Sequence, residues 1–238
     1  MTQLTYIGTE LELFAQANHW KSYIVSLLNQ YIQGDVLEVG AGIGSHTKLL
    51  TNTQYHHWLC LEPDLKLFQT LEKVIINNQI INCTAKAGTI EDIQTQTSFD
   101  TIIYLDVLEH IEADKKEVLN AAKHLKNNGS LIVLAPAHQY LFTPFDTAIG
   151  HYRRYNKQML KAILPEDIEV IKLVYLDCVG LLASLANKLL LQQSQPTLKQ
   201  IQLWDQLMVP LSIKLDPMIR NKLGKSILLI GKKRAISS

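Results

Sequence analysis

The stretch Val36-Leu37-Glu38-Val39-Gly40-Ala41-Gly42-Ile43-Gly44-Ser45-His46-Thr47 organises the chain. Val36, Leu37 and Val39 read as a short strand buried inside a parallel sheet. Three glycines on alternate positions break that strand. Ser45 to Leu50 then starts a helix, with Ser45 as its cap. Strand, glycine-rich turn and helix make the front half of a βαβ unit. Glycine is needed where a side chain would hold the backbone away from a ligand. The free N–H groups of a helix start favour a polar or anionic ligand group.

Working outward, residues from about Thr9 to Gln33 carry apolar side chains at helical spacing, including Trp20 and Tyr23, and Gly34 ends the segment. A second strand, His57 to Leu61, runs into Glu62-Pro63-Asp64, and a helix follows over Leu65 to Val74. An acid at the end of the second strand of a nucleotide-binding sheet accepts hydrogen bonds from ribose hydroxyls, which singles out Glu62. A third strand near Ile80 to Ala85 precedes Gly88-Thr89-Ile90. The fourth, Phe99 to Leu105, delivers Asp106-Val107-Leu108-Glu109-His110 to the C-terminal edge, where open α/β sheets bind ligands. A helix over Ala113 to Leu125, a stop at Lys126 to Gly129 and a strand over Ser130 to Pro136 complete the regular alternation. Strand and helix alternating in this way predict a doubly wound, mostly parallel α/β sheet.

Past Pro136 comes a long loop rich in aromatic and basic residues, including His138, Tyr140, His151, Tyr152, Arg153 and Arg154. Long loops in compact domains are usually functional. Asn156 caps a helix to Ile163, and Ile168 to Leu176 reads as a sixth strand. An apolar helix over Gly180 to Gln193, a polar turn at 192–196 and a helix to about Met208 form an insertion over 179–208. Ile227 to Ile230 reads as the last strand, with Lys232 to Arg234 as a solvated tail.

Composition narrows the function. The 238 residues are 47% hydrophobic and 19% charged, enough for one domain with a sizeable core. A net charge of +1 provides no field to draw in nucleic acid, which is excluded as a partner. Cys60, Cys83 and Cys178 show no C-x-x-C spacing and read as reduced core residues of a cytoplasmic protein. The N-terminus lacks the charged and apolar regions of a secretory leader. The most apolar window, Leu173 to Leu191, contains Asp177, Asn187 and Lys188 and is a poor membrane span. The eight histidines show no spacing such as H-E-x-x-H, so no metal is expected and activity should survive chelation.

A dinucleotide fingerprint needs G-x-G-x-x-G, and here Ser45 stands where its last glycine belongs. The spacing Glu38-x-Gly40-x-Gly42-x-Gly44 instead resembles the first motif of class I S-adenosylmethionine (SAM) dependent methyltransferases. Asp106-Val107-Leu108-Glu109-His110 resembles the fourth motif of that family. The pairing of Ala135-Pro136-Ala137-His138 with His151-Tyr152-Arg153-Arg154-Tyr155 resembles a bacterial subgroup of small members with poorly defined acceptors. The resemblance implies a seven-stranded sheet whose last strand is antiparallel, and SAM as cofactor with S-adenosylhomocysteine as product. It implies that Glu38 meets the ammonium end of SAM and that Gly40, Gly42 and Gly44 admit its methionine part. Glu62 and Pro63 would serve the ribose, Gly88, Thr89 and Ile90 would flank the adenine, and Asp106 and Val107 would line the cofactor. The chain would then divide into a helical cover (9–33), a cofactor half (34–135) and an acceptor half (136–238).

The expected reaction is methyl transfer to an oxygen or nitrogen of a small, partly apolar acceptor. Arg153 and Arg154 would recognise an anionic group on it, and Tyr140, Tyr152, Trp20 and Tyr23 would border it. His138 or His151, then His110, are the candidate bases for an oxygen acceptor. Contact of the apolar insertion with a lipid or membrane surface stays open, as do a NAD-dependent oxidoreductase and a non-catalytic SAM-binding protein. Nothing in the sequence signals an oligomeric state.

Overall fold

A computed structural model describes residues 6–8, 11–51, 53–186, 188 and 196–235. Its strands are β1 (Asp35–Val39), β2 (His57–Glu62), β3 (Cys83–Ala87), β4 (Phe99–Leu105), β5 (Leu125–Pro136), β6 (Ile168–Leu176) and β7 (Ser226–Lys233). They form a seven-stranded sheet in the order β3-β2-β1-β4-β5-β7-β6. β1 lies parallel to β2 and β4, β2 to β3, and β4 to β5, while β7 runs antiparallel between β5 and β6. The expected doubly wound sheet with an antiparallel last strand is therefore what the chain forms.

The helices are α1 (Leu11–Phe14), α2 (Asn18–Leu28), α3 (Thr47–Leu50), α4 (Leu65–Asn77), α5 (Asp114–Lys123), α6 (Pro144–Ala148), α7 (Lys157–Ile163), α8 (Cys178–Ala186), α9 (Leu198–Leu203) and α10 (Val209–Met218). A π-helical turn, Trp204–Met208, joins α9 to α10. Side chains of one strand point alternately to the two faces, and both faces are covered. Val36, Trp58 and Leu228 pack on one side with Ile24 and Leu28 of α2. Leu37, Leu61 and Leu229 pack on the other with Val118 and Ala122 of α5. Burial on both faces is why the central strands read as unbroken apolar runs.

Several boundaries move. Ser45 does not cap α3: the helix begins at Thr47 after His46, with no side-chain cap. Gly44 keeps a φ of +76°, which delays the helix, and the Thr47 hydroxyl is drawn to Glu38 instead. The third strand starts at Cys83, where its register with Trp58 begins. Lys126 to Gly129 belong to β5 as an irregularity between the Leu125–Phe99 and Ser130–Thr101 pairs. Lys126 bridges Asp35 and Asp100 there, at 2.8 and 2.7 Å. Lys232 and Lys233 extend β7, and Lys233 Nζ donates to the carbonyls of Ala122 and Leu125. The loop past Pro136 contains α6, closed by a reciprocal Thr143–Asp146 cap. The expected helix to Gln193 is seen as α8, and residues 187 and 189–195 lie outside the described residues.

Candidate functional site

The turn after β1 sits at the C-terminal edge of the sheet, between β2 and β4. Gly40 and Gly42 hold φ of +67° and +57°, a region L side chains rarely adopt. A Cβ on Gly40 would stand 2.7 Å from the Val107 side chain, so Val107 closes the turn from behind. A Cβ on Gly42 would come no closer than 3.9 Å to Leu11, in the space where a ligand can approach. Glu62 holds the turn: its Oε2 accepts the Gly42 N–H at 2.8 Å, and Oε1 accepts the Asp64 N–H at 2.9 Å. Burial pushes the Glu62 carboxyl up. Glu38 is enclosed one layer deeper. Its Oε2 accepts from Thr47 Oγ1 at 2.8 Å and Trp58 Nε1 at 2.9 Å, and burial pushes its carboxyl up to about 7.

A cavity of about 640 Å³ opens from this turn. Gly40, Ala41, Gly42, Ile43, Ser45 and His46 make one wall. Trp20, Leu11 and Phe14 cover it from the N-terminal helices, and Trp204, Met208 and Ala183 from the C-terminal ones. The opposite wall is polar. It carries Asp106, Glu109 and His110 from the end of β4, and Asp146, His151 and Arg154 from the strap 136–156. Such a volume, mostly apolar with a few converging polar groups, suits a small-molecule site.

The polar wall is tightly organised. Asp146 is fully buried, and Arg154 grips it with a fork, Nε to Oδ1 at 2.8 Å and Nη2 to Oδ2 at 3.0 Å. His151 Nδ1 shares the same carboxylate at 2.9 Å. These partners and the Thr143 N–H hold the Asp146 carboxyl far below the usual carboxylate range, although burial opposes them. The His110 and His151 rings meet edge to face with centroids 4.5 Å apart. Burial and His151 push His110 down to about 4, which keeps it neutral. Glu109 is fully buried, and among the described residues neither of its carboxylate oxygens has a hydrogen-bond partner. Burial and the neighbouring Asp106 push its carboxyl up. Asp106 itself holds a φ of +55°, and burial raises its carboxyl to about 6.

Of the residues singled out by sequence, Trp20, Gly40, Gly42, Asp106, His110, His151 and Arg154 face this cavity. Others lie elsewhere. Tyr23 donates to Asp216 within the core. Gly44 packs against Leu71 of α4. Glu62 and Pro63 at the end of β2, and Gly88, Thr89 and Ile90 after β3, form the flank beyond the glycine turn, with Thr89 paired to Asp92. His138 stacks between Tyr140 and Tyr175, at 5.0 and 4.6 Å, away from the cavity lining. Arg153 is bound to Asp114 at 2.6 Å and to the carbonyls of Ile111 and Glu112. Tyr140 and Tyr152 are about half exposed on the surface. The arginine forks expected to meet an anionic acceptor are thus engaged by Asp114 and Asp146.

Among the lining residues that the sequence patterns did not mark are His46, Lys225 and Glu109. His46 follows the glycine motif directly, lines the cavity, and is pushed down to about 4 by burial. Lys225 places its ammonium 3.6 Å from the Trp204 ring centroid and 3.6 Å from Asp177 Oδ2. Glu109 stands inside the segment after β4 but has no role assigned by the motif. His46 had a local signal, its place in the turn. Lys225 had none, because its position depends on β7 lying beside β5.

Residues 37–133 match the family model of a methyltransferase domain. A ubiquinone biosynthesis O-methyltransferase of Rickettsia felis is 40% identical over 112 residues, 46% of this chain and 44% of that protein. The chain spans less than half the length of the curated relatives it matches. Among solved structures, the YcgJ protein of Bacillus subtilis overlaps with a TM-score of 0.62 at 15% identity, covering 92% of this chain and all 100% of that one. A coclaurine N-methyltransferase bound to N-methylheliamine and S-adenosylhomocysteine overlaps with a TM-score of 0.62 at 12% identity, over 90% of this chain and 72% of its own. At such identities the likeness establishes the fold alone, a Rossmann-like sheet wound with helices on both faces.

Proposed function

We propose that this chain is a SAM-dependent methyltransferase that methylates an oxygen of a small, partly apolar acceptor. The observation that carries the reading is one cavity with two unlike ends, a glycine turn with positive-φ backbone at one and a histidine–carboxylate wall at the other. The methyltransferase-domain match over 37–133 and the O-methyltransferase relative support it. In this reading Gly40 and Gly42 admit the methionine part of SAM, Glu62 takes the ribose hydroxyls, and Gly88 to Ile90 flank the adenine. Glu62 already accepts two backbone N–H groups, and a carboxylate has lone pairs left for the ribose. Glu38 acts from behind, by fixing Thr47 and Trp58 beneath the turn.

The acceptor oxygen attacks the sulfonium methyl in line. The carbon–sulfur electron pair stays on sulfur, and the acceptor proton is released at the His110–His151 wall. The chain contributes positioning and exclusion of water.

The acceptor's apolar body enters beside α9 and α10, which we place against an anionic membrane surface. Leu203, Leu207, Leu211, Leu215 and Met218 are exposed at helical spacing along one face. Lys199, Lys214, Arg220 and Lys222, in the same stretch of chain, are exposed as well. The acids of the segment 178–225 are Asp205 and Asp216, both buried. Among the described residues no helix is long and apolar enough to cross a membrane.

Titration calorimetry with SAM tests the core of this reading. The wild type should bind one equivalent, and Gly42→Val should abolish binding, because valine disfavours positive φ and fills the open side of the turn. A wild-type chain that binds no SAM would refute the assignment.

A further inference from the structure

We infer that Glu109, His110 and His151 form a binding site for a divalent transition-metal ion, inside the cavity that the methyltransferase reading assigns to the acceptor. Each of the three offers a ligand atom, and these atoms all lie within 4.8 Å of one another. Two imidazoles and one carboxylate are a donor set of borderline softness, suited to zinc, manganese or cobalt rather than to calcium. All three residues line the cavity, so coordination positions not taken by protein would face the acceptor.

The independent observation is Glu109. A fully buried carboxylate is costly unless it is paired or binds a metal. Both Glu109 oxygens are without a hydrogen-bond partner among the described residues, and His151 Nε2 stands 3.9 Å from Oε1, too far for one. An ion between them would satisfy the carboxylate and the ring nitrogen together.

The surroundings are those of a ligand histidine. His151 spends Nδ1 on Asp146 at 2.9 Å, which leaves Nε2 turned toward Glu109. A carboxylate behind a histidine in this way fixes its tautomer and raises its basicity as a ligand. Arg154 anchors that carboxylate in turn. The His110 ring lies edge to face against that of His151, centroids 4.5 Å apart, which sets the two imidazoles side by side. Local charge also leaves room for a cation. Asp106, Glu109 and Asp146 face Arg154 and Lys225, while Lys225 also answers to Asp177. A bound ion would draw the acceptor hydroxyl to the wall and make it more acidic, the standard effect of Lewis-acid coordination.

The expectation of a metal-free site came from spacing along the chain, and His151 reaches Glu109 only because the strap folds back over the end of β4. The Tyr152 N–H donates to the Glu109 carbonyl at 2.8 Å and brings the two segments into contact.

The test uses the full chain, purified without a histidine tag, stripped with EDTA and titrated with Co²⁺, with Zn²⁺ in competition. One equivalent of Co²⁺ should bind and develop visible d–d absorption that Zn²⁺ abolishes. His110→Ala and Glu109→Gln should each weaken binding at least a hundredfold. Asp146→Asn should weaken it about ten- to a hundredfold through His151. Circular dichroism identifies which variants are folded, and His110→Ala, only partly buried, is the decisive one. No Co²⁺ uptake by the wild type, or undiminished uptake by folded His110→Ala, overturns the site. SAM titration of the same samples separates this from the underlying reading. SAM binding without metal binding refutes only the metal site, and metal binding without SAM binding refutes only the methyltransferase.

Discussion

At the scale of single residues, the two acids nearest the glycine turn behave differently because of depth. Glu62 spends its oxygens on the Gly42 and Asp64 N–H groups at the edge of the sheet. Glu38 is enclosed beneath Thr47 and Trp58, and its carboxyl rises from an ordinary value near 4.5 to about 7. Between these two values the folded chain holds a proton that the unfolded chain releases. The resulting stability is fully present below the unfolded pKa and is lost as pH rises through about 7. The full difference amounts to about 3 kcal/mol at most. His46 works in the opposite sense. Its neutral ring, pushed down to about 4, makes folding more favourable as pH rises toward the unfolded value of 6.5. Glu38→Gln keeps an acceptor for Thr47 and Trp58 and removes the titration. The stability difference, wild type minus variant, should therefore fall by up to about 3 kcal/mol between pH 4.5 and 7 in urea unfolding. A difference that stays flat across that range would contradict the burial of a titrating carboxylate. The sequence showed Glu38 as part of a motif but not that it would be buried. That required Trp58 and Cys60 of β2 to come alongside β1.

At the scale of elements, the strap 136–156 is a clamp. Arg153 reaches Asp114, Ile111 and Glu112, and the buried Tyr155 hydroxyl lies 2.8 Å from Asp114 Oδ2 and 3.1 Å from the Leu108 carbonyl. Three segments, the end of β4, the start of α5 and the strap that follows β5, are thereby fastened together. Tyr155→Phe removes the hydroxyl but keeps the ring. It leaves the Asp114 carboxylate to Arg153 and should cost about 1–3 kcal/mol in urea unfolding. Chymotryptic cleavage after Tyr152 should also become faster, and an unchanged rate would mean that the clamp is held by Arg153 alone. The aromatic and basic composition marked this segment as unusual. It drew attention away from α6, whose reciprocal Thr143–Asp146 cap and Pro144 at its first position are a local helix-start signal. It also concealed that both arginines are internally paired, because Asp114 is brought beside Arg153 by the fold, not by sequence distance.

At the scale of the whole molecule, the exposed leucine face of α9 and α10 and the exposed lysines of the same stretch make this part of the protein apolar and basic. In cosedimentation the chain should bind vesicles containing phosphatidylglycerol, bind neutral vesicles weakly, and lose most binding in 0.5 M salt as screening removes the attraction. Leu207→Glu with Leu211→Glu should abolish binding and leave SAM affinity unchanged; equal partition of the variant would rule out this face. The chain's own sequence determined the α/β alternation, the glycine turn and the acid that ends β2. These are local features, written in the period of apolar residues and in backbone conformations that only glycine tolerates easily. The β6 limits, Ile168 to Leu176, were legible for the same reason. Tertiary structure alone decided which polar groups meet. Glu109 and His151 belong to segments far apart in the chain, and Lys225 enters the cavity through strand order. Periodicity assigns a residue to a face, whereas the sheet order and the fold of the strap determine which faces converge.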